Sequence, residues 1–138
     1  MKVLFIGGTG IISTACSAQA ISQGIDLTLL NRGTSPRPAA RGAGVLHADI
    51  HDPVSIQAAL EGRGFDVVVD WIAYTPADVQ RDLDLFRGKT GQYIFISSAS
   101  AYQTPAANLP IRESTPLENP VWAYSRNKIA CEELLLQE

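Results

Sequence analysis

Five short apolar runs constrain this chain more than anything else in it. They are "KVLFI" (2–6), "IDLTLL" (25–30), "VLHAD" (45–49), "DVVVD" (66–70) and "QYIFIS" (92–97). The runs are near-continuously apolar instead of alternating, which is how strands covered on both faces read. Between them lie helical signals. Ile11, Ala15, Ala18 and Ile21 or Ser22 recur at helical spacing from Gly10 to Gln23, predicting an apolar stripe, and Gly24 closes the segment. Asp52 caps a short helix that has Pro53 at its first position and runs through Leu60. Pro76 opens a third helix with Val79, Leu83 and Phe86 on one stripe, and a last helix carries Ala123, Ile129, Ala130, Leu134 and Leu135. The Gly-, Pro- and Arg-rich stretch 31–44 and the segment from Ser98 to Pro120 are loops. Short strands separated by helices are joined by right-handed parallel crossovers, so the predicted fold is α/β, a doubly wound parallel sheet of about five strands.

The 138 residues are the length of one domain with a single core. A net charge of −3 supplies no general attraction to nucleic acid or to an anionic membrane, so neither is expected as a partner. The apolar run "VLFI" is interrupted at once by "GGTG", too soon for a signal segment or a span, and no other run approaches spanning length. Cys16 and Cys131 sit among apolar helical neighbours and read as buried, reduced thiols of a cytoplasmic protein. His47 and His51 have no further ligand at metal spacing, so no metal is expected. The charges of "RDLDLFRGK" (81–89) read as the solvated outer face of an amphipathic helix, and Trp71 and Trp122 as packing residues, with a substrate mouth as their alternative.

"FIGGTGIIS" follows the first strand and opens the first helix. Gly7 permits the tight turn and Gly10 lets the backbone approach a pyrophosphate. The helix N–H groups at Ile11 and Ile12 then face the phosphates, which is the arrangement of a dinucleotide site. At the end of the second strand, where an acid would hold a ribose 2′-hydroxyl, stand Asn31 and Arg32. An amide tolerates a 2′-phosphate and a guanidinium binds it in a bidentate manner. Arg37 and Arg41 follow in the same loop, and no acid occurs from residue 27 to residue 48. NADP is therefore favoured over NAD, with a solvated, flexible loop as the alternative reading of these arginines. Asp49 and Ile50, at the end of the third strand, are placed for the adenine amino group, or Asp49 for a cap.

Ligands of a doubly wound sheet sit beyond the carboxyl ends of its strands. The fifth strand leads there to "SSASAY" (97–102), and the last helix carries Tyr124 and Lys128 one turn apart. A phenol serves as a base near neutrality only when a neighbouring cation stabilises its phenolate. Ser98 would hydrogen-bond a substrate oxygen as charge develops on it. Beside a nicotinamide, such a set carries hydride between an alcohol carbon and its ketone.

These segments together resemble the extended short-chain dehydrogenases/reductases, the group of NAD(P)-dependent sugar-nucleotide epimerases and dehydratases. "GGTGIIS" resembles that family's phosphate loop, "YIFISSASAY" its fifth strand, "ESTP" the loop that follows, and "YSRNKIACEELL" its Tyr-x-x-x-Lys helix. The resemblance implies Tyr124 as acid/base, and Lys128 as both support of the phenolate and holder of the nicotinamide ribose. It implies Ser98 as the catalytic hydroxyl, ahead of Ser97 and Ser100, and leaves Glu132 to brace the helix. "DWIAY" departs from the family's usual pattern, so Ala73 alone carries over as a cofactor contact, and Ser13 replaces a usual glycine. Helices at 76–88 and 121–136 would form a homodimer contact, with Leu83, Phe86 and Ile129 in the patch.

The family continues past this length into a C-terminal lobe that holds substrate. The chain therefore reads as an NAD(P)-binding Rossmann domain over 1–138 lacking that lobe, a fragment or truncated product. By itself it is expected to bind dinucleotide weakly and turn over slowly. The implied function is an NAD(P)-dependent oxidoreductase or epimerase/dehydratase acting on a small-molecule substrate such as a nucleotide sugar. The alternative is a non-catalytic dinucleotide-binding module, which needs the glycine turn but not the tyrosine.

Overall fold

The predicted apolar runs become strands in the computed structural model, which describes all 138 residues. The expected burial on both faces is corrected at the sheet edges, where Gly44–His47 and Thr90–Phe95 hold no buried residue because each has a neighbour on one side only. The strands are β1 (Lys2–Ile6), β2 (Asp26–Asn31), β3 (Gly44–His47), β4 (Phe65–Asp70) and β5 (Thr90–Phe95). Every pairing is parallel and the order is β3-β2-β1-β4-β5. Leu4, Ile6, Leu29 and Val68 are fully buried in the middle of this Rossmann-like sheet. The chain runs outward through β1, β2 and β3, then returns to the other side of β1 with β4. That reversal makes the carboxyl ends of β1 and β4 the switch point at which such sheets bind ligands. β5 ends at Phe95, two residues short of the predicted run, and so releases Ile96 and Ser97 into the loop.

The helices are α1 (Ile11–Ser22), α2 (Pro53–Leu60), α3 (Pro76–Phe86) and α4 (Ala123–Leu135), with a 3-10 turn at Ala99–Ala101. Asp52 caps α2 as expected, its carboxylate accepting from the Val54 and Ser55 N–H groups at 3.0 and 3.3 Å. No helix is long and apolar enough to cross a membrane. The residues group into two compact units. The first, Met1–Ile72 with Phe86–Phe95, contains the whole sheet, α1 and α2. The second, Ala73–Leu85 with Ile96–Glu138, contains α3 up to Leu85, the 3-10 turn and α4.

Several side chains lie elsewhere than helical spacing predicts. On α1 the apolar stripe is exposed: Ile11, Ala15 and Ala18 face water, and Ser13, Ser17 and Ala20 are buried. Small residues let the helix sit close, and the buried hydroxyls are satisfied locally. Ser17 Oγ donates to the Ser13 carbonyl at 2.8 Å, and Ser13 Oγ accepts from Gly10 N at 2.9 Å. On α4 the fully buried residues are Ser125, Lys128 and Cys131, whereas Ala123 is exposed. The solvated face expected at 81–89 holds for Asp84, Arg87 and Lys89, which are exposed, and is corrected at Asp82. Asp82 is fully buried, and the Arg81 guanidinium bridges it at 2.8 Å and Asp78 at 2.9 Å, so one cation is shared by two carboxylates. Phe86 is buried inside the chain, which removes it from any dimer patch. Cys16 is only half-buried, unlike Cys131. Trp122 is 55% exposed and packs one side of its ring against Tyr124, while Trp71 sits edge-on to Phe5 with ring centroids 5.4 Å apart.

Candidate active site

The glycine turn of the first unit is built from left-handed backbone. Gly7 has φ +99° and Gly8 φ +92°, which only glycine adopts without strain. A Cβ on Gly7 would lie 3.1 Å from Ile72 Cγ2, and one on Gly8 only 2.7 Å from Leu29 Cδ2. Gly7 N donates to the Leu30 carbonyl at 2.8 Å, pinning the turn to β2. Gly10 takes no part in the bend: its φ is −77°, and a Cβ there would meet only Ser13 Oγ at 3.2 Å. It keeps the mouth open instead of bending the chain. Ile11 and Ile12 are 80% and 69% exposed at the first positions of α1, where the N–H groups have no carbonyl one turn behind them. Open donors at a helix start, a bend that excludes side chains, and a position at the switch point suit a diphosphate. Ser13 takes up one donor of this set, the N–H of Gly10.

The arginine loop of the same unit is partly committed. Arg32 Nη1 lies 3.9 Å from Asp49 Oδ2, an exposed pair of small energetic weight. Asn31 Oδ1 accepts from Gly33 N at 2.9 Å, and Asp49 Oδ1 from His51 N at 3.0 Å, so both side chains shape turns. Arg37 and Arg41 are exposed, and Ile50 is buried.

The second unit assembles the remaining candidates. Lys128 is 2% exposed, and its ammonium donates to the carbonyls of Ala73 and Ile96, both at 2.7 Å. The same nitrogen lies 5.2 Å from the centroid of the Tyr74 ring and 5.7 Å from that of Tyr124, within cation–π range of both. Tyr124 is half-buried between Tyr74 and Trp122, whose ring centroids are 6.2 and 4.8 Å from its own. The cation is therefore held beside the phenol by main-chain oxygens. Ala73, carried over as a cofactor contact, is fully buried and uses its carbonyl for Lys128. Of the three serines, Ser97 donates to Glu132 Oε1, which is how that carboxylate braces α4. Ser98 is half-buried and lies 2.9 Å from Ser100 Oγ.

The turn that supplies the Ala73 carbonyl is itself capped. Asp78 Oδ2 accepts from the Tyr74 and Thr75 N–H groups, each at 3.0 Å, and Asp78 N returns a bond to Thr75 Oγ1 at 3.3 Å. Burial pushes the Asp78 carboxyl up, but these hydrogen bonds and Arg81 outweigh it and leave it below its ordinary 3.8. A depressed carboxyl contributes stability that is fully present above its unfolded value and is lost as pH falls through the folded one. Acid titration below the ordinary value is thus expected to loosen the start of α3, seen as hydrogen exchange at the Tyr74 and Thr75 amides. An exchange rate there that ignores Asp78→Ala at neutral pH would show that the cap does not hold this turn.

Four contributors escaped sequence reasoning. Gly8 hides in a glycine run, and Tyr74 in a loop. Asn119 is buried, donating to the Ser100 carbonyl at 3.0 Å and accepting from Val121 N and Trp122 N at 3.1 and 3.0 Å. It thus clips the serine turn to the start of α4, and only its place just before a helix hinted at a cap. Ser125 follows the tyrosine and is fully buried.

Strand order, glycine turn and the Tyr–Lys pair define the class: a Rossmann-like protein of the dinucleotide-binding type. Comparison with known proteins narrows it. The model of the NAD dependent epimerase/dehydratase family matches residues 3–137, and the chain belongs to that family. A UDP-glucose 4-epimerase of Lactobacillus helveticus is 30% identical over 98% of this chain and 46% of its own length. The chloroplast stem-loop binding protein of 41 kDa b of Arabidopsis thaliana is 32% identical over 73% of this chain and 30% of its own. Among solved structures, the UDP-glucose 4-epimerase of Brucella ovis in complex with NAD superposes with a TM-score of 0.82 at 25% identity, over 99% of this chain and 47% of that one. The enzyme of Bifidobacterium longum, in complex with NAD+ and UDP, shares the fold at a TM-score of 0.82 and 20% identity, over 99% and 48%. The chain spans less than half the length of these relatives. The expected preference for NADP finds no support among them, since the complexes named hold NAD.

Proposed function

We infer that this chain is the cofactor-binding and proton-transferring part of an NAD-dependent nucleotide-sugar epimerase or a related dehydratase or reductase. The observation that carries the reading is the buried ammonium of Lys128, fixed on two carbonyls within 6 Å of the Tyr124 ring centroid. In this reading Gly7, Gly10 and the N–H groups of Ile11 and Ile12 hold the diphosphate. Asn31, Arg32, Asp49 and Ile50 border the adenosine end. A bound nicotinamide supplies the hydride acceptor and donor. Tyr124, as the phenolate, takes the proton of the substrate hydroxyl and later returns it, Lys128 stabilises the phenolate before the first transfer and after the second, and Ser98 donates a hydrogen bond to the same oxygen. NAD is preferred because the Brucella ovis relative is solved in complex with NAD, and Asp49 adds a negative charge next to the guanidinium that a 2′-phosphate would use.

Two measurements test this. Fluorescence titration is expected to show NADH binding more tightly than NADPH. The reverse order, abolished by Arg32→Ala, would restore the case for NADP. Conversion of UDP-glucose to UDP-galactose with NAD+ present is expected to fall about 10²–10⁴-fold in Tyr124→Phe, with the thermal midpoint unchanged. Undiminished turnover in that variant takes the phenol out of the chemistry and leaves the non-catalytic dinucleotide module. The name of the Arabidopsis relative favours a second reading, stem-loop binding, but a net charge of −3 opposes it.

A further inference from the structure

Three hydroxyls of the second unit form one chain. Ser125 Oγ, fully buried on α4, donates to Ser100 Oγ at 2.8 Å. Ser100 Oγ lies 2.9 Å from Ser98 Oγ, and Ser100 N donates to Ser98 Oγ at 3.3 Å. Each hydroxyl has a single proton. The Ser125 proton is committed to Ser100; either oxygen of the Ser100–Ser98 contact could donate, and the sense that continues the chain puts the Ser100 proton on Ser98. Ser98 Oγ then accepts twice, from the Ser100 hydroxyl and from the Ser100 amide, and both its acceptor positions are occupied. Its own proton has one direction left, away from the chain.

The geometry points to Ser125 and Ser100 as positioning residues that hold the Ser98 hydroxyl as an outward hydrogen-bond donor. The relay begins on the residue after Tyr124, so the helix that carries the phenol also sets the polarity of the serine. Asn119 keeps the two ends together, holding the Ser100 carbonyl with its amide nitrogen at 3.0 Å and the start of α4 with its oxygen. A donor of fixed direction suits an oxygen that gains charge during hydride loss or gain, because no reorientation is needed as the charge appears. This use of the relay rests on the functional reading above. The relay's polarity does not.

Polarity is read directly on the 138-residue chain by carbon-13 NMR of the serine Cβ atoms in an equal mixture of H2O and D2O. A hydroxyl whose hydrogen exchanges slowly gives two Cβ lines, and one open to solvent gives a single averaged line. Two lines are expected at Ser125 and Ser100 and one at Ser98. Averaged lines at both Ser125 and Ser100, or two lines at Ser98, overturn the proposal. The consequence is read in UDP-glucose turnover. Ser125→Ala is expected to lower kcat about threefold to tenfold with KM unchanged, and to add nothing in a Ser98→Ala background. Independent, multiplying losses in the double variant overturn a role exerted through Ser98. If the NMR pattern holds but Ser98→Ala turns over as well as the parent, the relay stands and the functional reading fails.

Discussion

Lys128→Ala is expected to destabilise the protein by about 3–5 kcal/mol, the sum of a cavity and two carbonyls stripped of a charged donor. The side chain is 2% exposed, so water cannot replace it at the Ala73 and Ile96 oxygens without opening the structure. Its desolvation cost argues for a smaller loss. Two 2.7 Å charge-assisted bonds and two aromatic faces within 6 Å offset that cost. Lys128→Met separates the contributions: it refills most of the volume but supplies no donor, and should fall between alanine and the parent. Chemical denaturation measures both. A loss under about 1 kcal/mol for alanine would mean that the ammonium does not hold the 73–75 turn against α4.

Gly8→Ala should cost about 2–5 kcal/mol, combining a left-handed backbone with a Cβ pressed against a core leucine. The added atom would sit 2.7 Å from Leu29 Cδ2, and Leu29 is fully buried, so neither partner has room to retreat. Gly10→Ala is the contrasting case. Its backbone is ordinary and its neighbour is a serine hydroxyl at 3.2 Å, so stability should hardly change while NADH affinity drops. Equal stability losses in the two variants would contradict the division of the turn into a structural and a binding glycine.

Much of this was readable in advance, for identifiable reasons. Apolar runs alternating with helical signals marked five strands of a parallel sheet, and five parallel strands form there. Their spatial order was not legible, and the expected burial on both faces fails at the edges, where β3 and β5 hold no buried residue. Asp52 with Pro53 names a helix start in any context, because the cap satisfies N–H groups two and three residues on. Left unread were the faces of α1 and α4. Apolar spacing pointed to Ile11, Ala15 and Ala18, yet serines lie inward because small side chains allow close approach and their hydroxyls find nearby acceptors. Asp82 looked solvated for a similar reason. Its neighbour Arg81 is what makes its burial tolerable, and a run of charges does not show which of them pair.

Within the candidate site the same division holds. The Tyr124–Lys128 pair lies one helical turn apart wherever the helix forms, and the glycine turn bends wherever a strand meets that helix; both follow from near-neighbour chemistry. Which oxygens hold the ammonium, which serine is the relay's hub and which asparagine clips the turn depend on partners 55, 25 and 19 positions away along the chain. Separations of that kind have no periodicity to betray them. They exist because folding removes water from polar groups, and each such group must then bond to whatever the packing has brought within reach.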